Sequence, residues 1–351
     1  MYINNRLLFL LYIIFHELQF HLFEIKEITS QQRGCTGLFS AKGFEGVLNF
    51  VHFLLYFKYR KYSISHIVLK LICRRRTMNN QWKHDNLPIN GIQIHYYRTG
   101  GNKPPIVLSH GATDDGLCWT PVAKLLAEEY DVIMPDARGH GKSEIGNGEY
   151  GVLARAEDLS AFIDALKLDR PVIMGHSMGA QTSLFAAANH NEQVRAVILE
   201  DPLLVIEGEG VFGKTSAEEL GKMMRDGARR SKRSFKFLLR SYARKNLGWS
   251  EDEIKPWAES KKRLSNDFIK SLMEMKKEPD AFETLKMVKC PLLLITGNRR
   301  KGSIVSEKGV EKAKSILPHL EVAQFDAGHN IRREAFDGYM QEVKRFLSSV
   351  E

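Results

Sequence analysis

The amino-acid sequence predicts an α/β protein with a doubly wound, mostly parallel β-sheet and a helical segment inserted between two late strands. Three observations predict this fold class. From residue 91 onward, short apolar runs alternate with longer segments of helical periodicity, which is typical of parallel strands joined by crossover helices. A G-x-S-x-G sequence stands between one apolar run and a helical segment. The interval 203–289 is long and charged, and contains no convincing strand pattern.

The predicted strands are short and, apart from the first, continuously apolar. Residues 91–97 alternate Ile92, Ile94 and Tyr96 with polar neighbours, which indicates a strand with one buried face. The later runs are typical of a parallel sheet buried on both faces. They lie at 105–109, 131–134, 171–174, 194–199, 291–296 and 321–325. Helices are predicted at about 119–129, 152–166, 178–190, 306–317 and 333–348.

The interval 203–289 is expected to form a lid over the carboxyl ends of the strands, where ligands bind in such sheets. Ser216 with Glu219, and Ser250 with Glu253, each have the spacing of a capping box at a helix start. The basic clusters of this interval would attract an anionic substrate, but a solvated helix face is the more common situation.

The first 77 residues differ in composition from the rest. Residues 1–77 contain no Pro, Asp or Trp, and their apolar runs 7–15 and 47–57 are shorter than the roughly 20 residues that cross a bilayer. We expect an extension outside the fold, with the natural start at Met78 and the folded domain at 78–351. The alternative is attachment to a membrane surface through this segment, since aromatic and basic residues occur together there.

Charge and cysteine usage exclude several classes of protein. The net charge of +9 is concentrated in residues 1–77, with 11 Lys and Arg against four Glu, whereas the remaining chain has 40 basic and 38 acidic residues. A nearly neutral main body excludes a nucleic-acid partner. The four cysteines are far apart in sequence, so no zinc site or disulfide framework is predicted. Unpaired thiols favour a cytoplasmic protein, or a membrane-associated one if residues 1–77 are expressed.

Ser177 is the candidate nucleophile. Gly175-His176-Ser177-Met178-Gly179 follows the apolar run 171–174 and precedes an Ala-rich helical segment. A serine on such a strand-to-helix turn exposes its hydroxyl oxygen at the edge of the sheet.

His329 is the candidate base, because it lies on the loop after the last predicted strand, beside Gly328. The loop at 296–302, which follows the strand after the lid, contains no carboxylate, but Glu200 and Asp201 end the strand before it. Because side chains alternate along a strand, one of these two faces the site. Asp201 is nearer the carboxyl end and is chosen, with Glu200 as the alternative.

The backbone N–H groups of Met178 and Ala112 are the candidate oxyanion donors. Met178 follows the nucleophile, and Ala112 follows Gly111, which allows a tight turn toward the substrate. Acyl transfer by a serine, a histidine, a carboxylate and two N–H groups requires no metal or organic cofactor.

Together these motifs resemble the α/β-hydrolase superfamily over about residues 90–350. The resemblance rests on His110-Gly111, the D-x-R-G-x-G-x-S sequence at 136–143, the Ser177 turn and Gly328-His329. It implies an α/β-hydrolase fold, an esterase-like serine hydrolase with a helical lid, and a structural role for 136–143. In this superfamily the acid commonly follows the strand after the lid, where this chain has Asn298. Some members place it one strand earlier, which matches Asp201.

The predicted activity is cleavage of a small carboxylic ester or related acyl substrate through an acyl-enzyme intermediate. C–C bond hydrolysis, lactone opening and cofactor-free haloperoxidase or perhydrolase activity are alternatives on the same fold. A non-catalytic ligand-binding receptor is the alternative from another class. Two G-x-G-x-x-G sequences, at 146–151 and 208–213, do not open a helix directly from a strand, so dinucleotide binding is rejected.

The expected start at Met78 predicts that the native protein lacks every peptide from residues 1–77. Mass spectrometry of the N-terminus of the natively expressed protein measures this directly. A peptide from before residue 78 would contradict it.

Overall fold

The computed structural model describes residues 82–350, apart from 147–148, 211–221, 223–225, 228, 230–231, 266, 269 and 271–277. Residues from Trp82 onward form one compact unit. The expected extension 1–77 and the capping box at Ser216 and Glu219 lie outside the described residues.

Eight strands in the described residues form one sheet with the order β1-β2-β4-β3-β5-β6-β7-β8. β1 pairs antiparallel with β2, and β2 with β4, whereas all other neighbours are parallel. The strands are β1 (Lys83–Ile89), β2 (Ile92–Arg98), β3 (Pro105–Ser109), β4 (Asp131–Pro135), β5 (Val172–His176), β6 (Ala196–Glu200), β7 (Leu292–Thr296) and β8 (Glu321–Gln324). The predicted mostly parallel sheet is confirmed.

No strand was predicted at β1. Its residues are mainly polar and exposed, because it is an edge strand that pairs only with β2. A strand of this kind lacks the buried face that produces an apolar alternation.

The helices are α1 (Thr120–Leu126), α2 (Val152–Ala165), α3 (Met178–Asn189), α4 (Phe235–Lys245), α5 (Glu251–Arg263), α6 (Ala281–Leu285), α7 (Glu307–Ile316), α8 (Ile331–Glu334) and α9 (Phe336–Ser349). The helix predicted at about 333–348 corresponds to α9, but it begins three residues later, because Ala335, with φ −133° and ψ 44°, separates α9 from α8. The Glu334 carboxylate turns back and accepts the N–H of Gly328 at 2.7 Å. The interval between β6 and β7 contributes α4, α5 and α6.

Helices cover both faces of the sheet, and the strands divide their side chains between two apolar cores. In β3, Val107 packs in the core formed with α2 and α3. Its neighbours Ile106 and Leu108 pack in the core formed with α1 and α9. This alternation explains why the central strands are continuously apolar. Because β3 to β8 run parallel, the loops that follow these strands lie together at one edge of the sheet.

No helix in the described part of the chain is long and apolar enough to cross a membrane.

Candidate active site

Ser177 occupies a strained turn between β5 and α3. Its φ of 54° and ψ of −116° lie in a region that is costly for a residue with a Cβ. A Cβ at Gly175 would lie 2.2 Å from the carbonyl oxygen of Gly179, and one at Gly179 would lie 2.1 Å from that of Ser109. The two glycines therefore allow the strand and helix to approach closely enough to hold Ser177 at the sheet edge.

His329 and Asp201 are brought together at this edge from distant parts of the sequence. His329 Nδ1 lies 2.6 Å from Asp201 Oδ2. Asp201 directly follows β6, with φ 47°, and its side chain is completely buried. Because Nδ1 faces the carboxylate, a neutral His329 has its proton on Nδ1 and its basic lone pair on Nε2.

The loop after β7 holds the Asp201 carboxylate, although it contributes no acid of its own. Ser303 Oγ donates to Asp201 Oδ1 at 2.7 Å. The N–H groups of Ile304 and Val305 donate to Oδ2 and Oδ1 at 2.8 and 3.1 Å. With the bond to His329, the carboxylate takes part in four hydrogen bonds, which offset the cost of burying it. Sequence reasoning missed these three donors, since none carries a motif.

Glu200 faces away from His329. Its carboxylate accepts the N–H of Arg332 at 3.0 Å, Arg332 Nη1 at 3.0 Å and the Tyr339 hydroxyl at 3.2 Å. Strand alternation thus directs neighbouring side chains at the end of β6 to different partners. Asp201 is the one beside His329, and its role as the catalytic acid stays a prediction.

The Gly111–Ala112 peptide lies against the Ser177 turn. A Cβ at Gly111 would stand 3.6 Å from the Cβ of Ser177. The Gly111 carbonyl oxygen accepts His110 Nδ1 at 2.9 Å and the N–H of Asp114 at 3.0 Å. In a trans peptide the C=O and N–H bonds point in opposite directions, so the Ala112 N–H points away from these two donors.

Met178 is the first residue of α3, so its N–H has no partner within the helix. The side chains of Met178 and Ala112 belong to one apolar cluster with Tyr150 and Phe268. The residues that carry the two predicted oxyanion donors therefore contribute to one apolar wall.

Two further buried histidines, His110 and His140, contact the loops beside the Ser177 turn. His110 Nε2 accepts the N–H of Ala137 at 2.9 Å, and His140 Nε2 lies 2.8 Å from the carbonyl oxygen of Ala112. Burial, with a contribution from His110, lowers the pKa of His140 to about 3. The sequence placed these residues on loops but could not indicate their partners.

His176 connects the nucleophile turn to the His329 loop. Its Nε2 lies 2.9 Å from the backbone oxygen of His329, and the two rings are 4.7 Å apart. A carbonyl oxygen only accepts, so His176 carries its proton on Nε2. Burial holds the pKa of His176 well below its usual value, assisted by the positive charge of Arg332.

The loop 136–143 is held to neighbouring segments by its charged side chains. Asp136 accepts the N–H groups of Gly116 and Lys142 at 2.7 and 2.9 Å. Arg138 forms a two-point ion pair with Asp158, at 2.5 and 2.7 Å. These contacts agree with the structural role expected for this loop.

Comparison with known proteins now identifies the family. A family model described as alpha/beta hydrolase fold matches residues 104–332, well over half of the chain. The chain belongs to the α/β hydrolase family. Because its relatives in this family are hydrolases, the protein is an enzyme of the hydrolase class.

Two relatives extend over nearly all of their own length. This α/β hydrolase is 28% identical to the N-formylmaleamate deformylase of Pseudomonas putida over 276 residues, which cover 75% of this chain and 95% of that protein. The crystal structure of an N-formylmaleamic acid deformylase from Pseudomonas putida S16 matches with a TM-score of 0.63 and 25% identity, over 75% of this chain and 100% of that one.

A third similarity is shorter. The 2-(acetamidomethylene)succinate hydrolase of Mesorhizobium japonicum is 32% identical over 114 residues, which cover 32% of this chain and 41% of that protein. Its match therefore spans less than half of that relative.

The environments of Asp201 and Glu200 predict different effects of substitution. If Asp201 is the catalytic acid, Asp201→Asn should lower kcat by about 1000- to 10,000-fold, because an imidazolium on His329 would lose its counter-charge. Glu200→Gln should instead lower the free energy of unfolding by about 3–5 kcal/mol, since Arg332 loses the nearer of its two buried carboxylate partners. Ester hydrolysis and urea unfolding of the two variants measure both effects. Full activity in Asp201→Asn with an inactive Glu200→Gln would contradict the assignment.

Proposed function

We propose that this α/β hydrolase is a serine hydrolase that cleaves a small carboxylic ester or related acyl substrate through an acyl-enzyme intermediate. The observation that carries the proposal is the 2.6 Å contact between His329 Nδ1 and Asp201 Oδ2, on the loops beside the strained Ser177 turn. A nucleophile, a base and an orienting acid on one edge of a sheet are the components of acyl transfer.

In the proposed mechanism, Ser177 Oγ attacks the carbonyl carbon of the substrate while His329 Nε2 takes the hydroxyl proton. Asp201 stabilises the resulting imidazolium and keeps the ring in the required orientation. The N–H groups of Ala112 and Met178 bind the oxyanion of the tetrahedral intermediate. Collapse expels the leaving group, which receives the proton from His329. Water, deprotonated by the same ring, then hydrolyses the ester formed on Ser177.

Helices α4 and α5 are proposed to belong to the lid expected from residues 203–289. Support comes from α5, where Ser260 Oγ donates to the carbonyl oxygen of Thr113 at 3.0 Å. Thr113 follows Ala112, so this helix borders the proposed oxyanion loop. The wall formed by Met178, Tyr150 and Phe268 favours a substrate with a small apolar portion.

Hydrolysis of an N-acyl bond is a second candidate, favoured by the similarity to the deformylase over 95% of its length. The names of that enzyme and of the succinate hydrolase both describe N-acyl compounds that are also carboxylic acids. The same site would act on such an amide, because its tetrahedral intermediate has the same oxyanion. Lactone opening, C–C bond hydrolysis and haloperoxidase-type activity are further possibilities on this fold.

Turnover of a panel of p-nitrophenyl esters, lactones and N-formyl amides tests the proposal. The wild type should hydrolyse at least one class, and Ser177→Ala should lose at least about 1000-fold in kcat. Ser315→Ala is the matched control, because Ser315 is exposed on α7, where its hydroxyl donates to the Lys312 carbonyl. Its activity should equal that of the wild type.

Wild-type activity in Ser177→Ala would contradict the proposal. Saturable binding of a panel member, with no turnover by the wild type, would favour the receptor alternative.

A further inference from the structure

Six buried charged side chains form a network behind the proposed oxyanion loop. Each of these side chains is at most 10% exposed. The members are Asp114, Glu200, Glu253, Lys261, Arg332 and Arg333. Three carboxylates face three cations, so the network is balanced. Its members come from the loop after β3, the end of β6, helix α5 and helix α8.

Asp114 is the centre of this network. Its Oδ2 accepts Arg333 Nη2 at 2.8 Å and Arg332 Nη2 at 3.3 Å, and its Oδ1 accepts Lys261 Nζ at 3.1 Å. Burial alone would raise the pKa of Asp114, but the three cations hold it well below 3.8. The group is therefore a carboxylate throughout the physiological range of pH.

The backbone of Asp114 determines the direction of the Ala112 N–H. The Asp114 N–H donates to the Gly111 carbonyl at 3.0 Å, which closes a turn around Ala112. Lys261 Nζ also donates to the carbonyl oxygen and the hydroxyl of Thr113, at 2.6 and 2.7 Å. Because the carbonyl of the Gly111–Ala112 peptide is fixed, the opposite N–H is fixed as well.

The same network holds the segment that carries His329. Arg332 and Arg333 follow His329 by three and four residues. Arg333 Nε donates to Glu253 Oε2 on α5 at 3.1 Å, while Arg332 is held by Glu200, next to Asp201. The carboxylate of Asp114 therefore joins the loop that carries Ala112 to the segment that carries His329.

We propose that Asp114 is a positioning residue that aligns the Ala112 N–H for oxyanion binding and fixes the oxyanion loop to the His329 segment. Helix α5, within the proposed lid, supplies Lys261 and so braces the loop that carries Ala112. This inference rests on the proposed serine hydrolase activity.

The test compares Asp114→Asn with the charge-balanced double variant Asp114→Asn/Lys261→Met, using p-nitrophenyl acetate as substrate and phenylboronic acid as a tetrahedral inhibitor. Asp114→Asn should lower kcat at least about tenfold, toward the roughly 100- to 1000-fold that loss of one oxyanion donor costs. KM should change by less than about threefold, because the oxyanion forms only in the transition state. The inhibition constant of phenylboronic acid should rise in parallel with the loss of kcat.

The double variant separates positioning from stability, since it removes one charge of each sign. We expect its melting temperature to return toward that of the wild type while kcat stays low. Asp252→Asn is the control on α5: its carboxylate is 63% exposed and pairs with Lys124 at 2.7 Å. It should match the wild type in every measurement.

Two results would overturn the inference while leaving the proposed function intact, provided that Ser177→Ala is inactive. One is wild-type kcat and inhibition by phenylboronic acid in Asp114→Asn. The other is recovery of kcat together with melting temperature in the double variant. If Ser177→Ala hydrolyses p-nitrophenyl acetate as fast as the wild type, both the proposed function and this inference fail.

Discussion

The rest of the site depends on the hydrogen bond between the buried carboxylate of Asp201 and the imidazole of His329. This carboxylate joins the end of β6, the loop after β7 and the His329 loop, which are separated by up to 128 residues in sequence. Donors from residues 303–305 satisfy the carboxylate from one side, so it presents one oxygen to the imidazole. Without these donors, burial of the charge would be too costly to maintain. The position of His329 thus follows from how the β7 loop folds.

A second constraint arises from the same strand. The last residue of β6, Glu200, directs its carboxylate into the network centred on Asp114, whereas Asp201 turns toward His329. One strand end therefore anchors both the His329–Asp201 pair and, through Arg332 and Asp114, the loop that carries Ala112. The two longer helices of the insertion between β6 and β7 differ in their surroundings. Helix α5 contacts the Ala112 loop and the segment after His329, whereas the basic side chains of α4 are exposed to solvent.

The sequence was sufficient to predict the parallel strands and to place Ser177 and His329 on loops at one edge of the sheet, because apolar runs and the G-x-S-x-G turn depend on local geometry. It was insufficient for β1, whose side chains are exposed, and for the break at Ala335. The network around Asp114 was also missed. Its charged residues look like surface residues in sequence, and Asp114 and Arg332 are 218 residues apart. Only the folded chain shows that such side chains are buried and paired.

We propose that Ser177 is a nucleophile activated by the His329–Asp201 pair. The most direct measurement is reaction with a fluorophosphonate, followed by mass spectrometry of the labelled peptides. We expect one adduct, on the peptide containing Ser177, and a much slower reaction in His329→Gln. An adduct on another residue, or equal labelling of the wild type and His329→Gln, would contradict it.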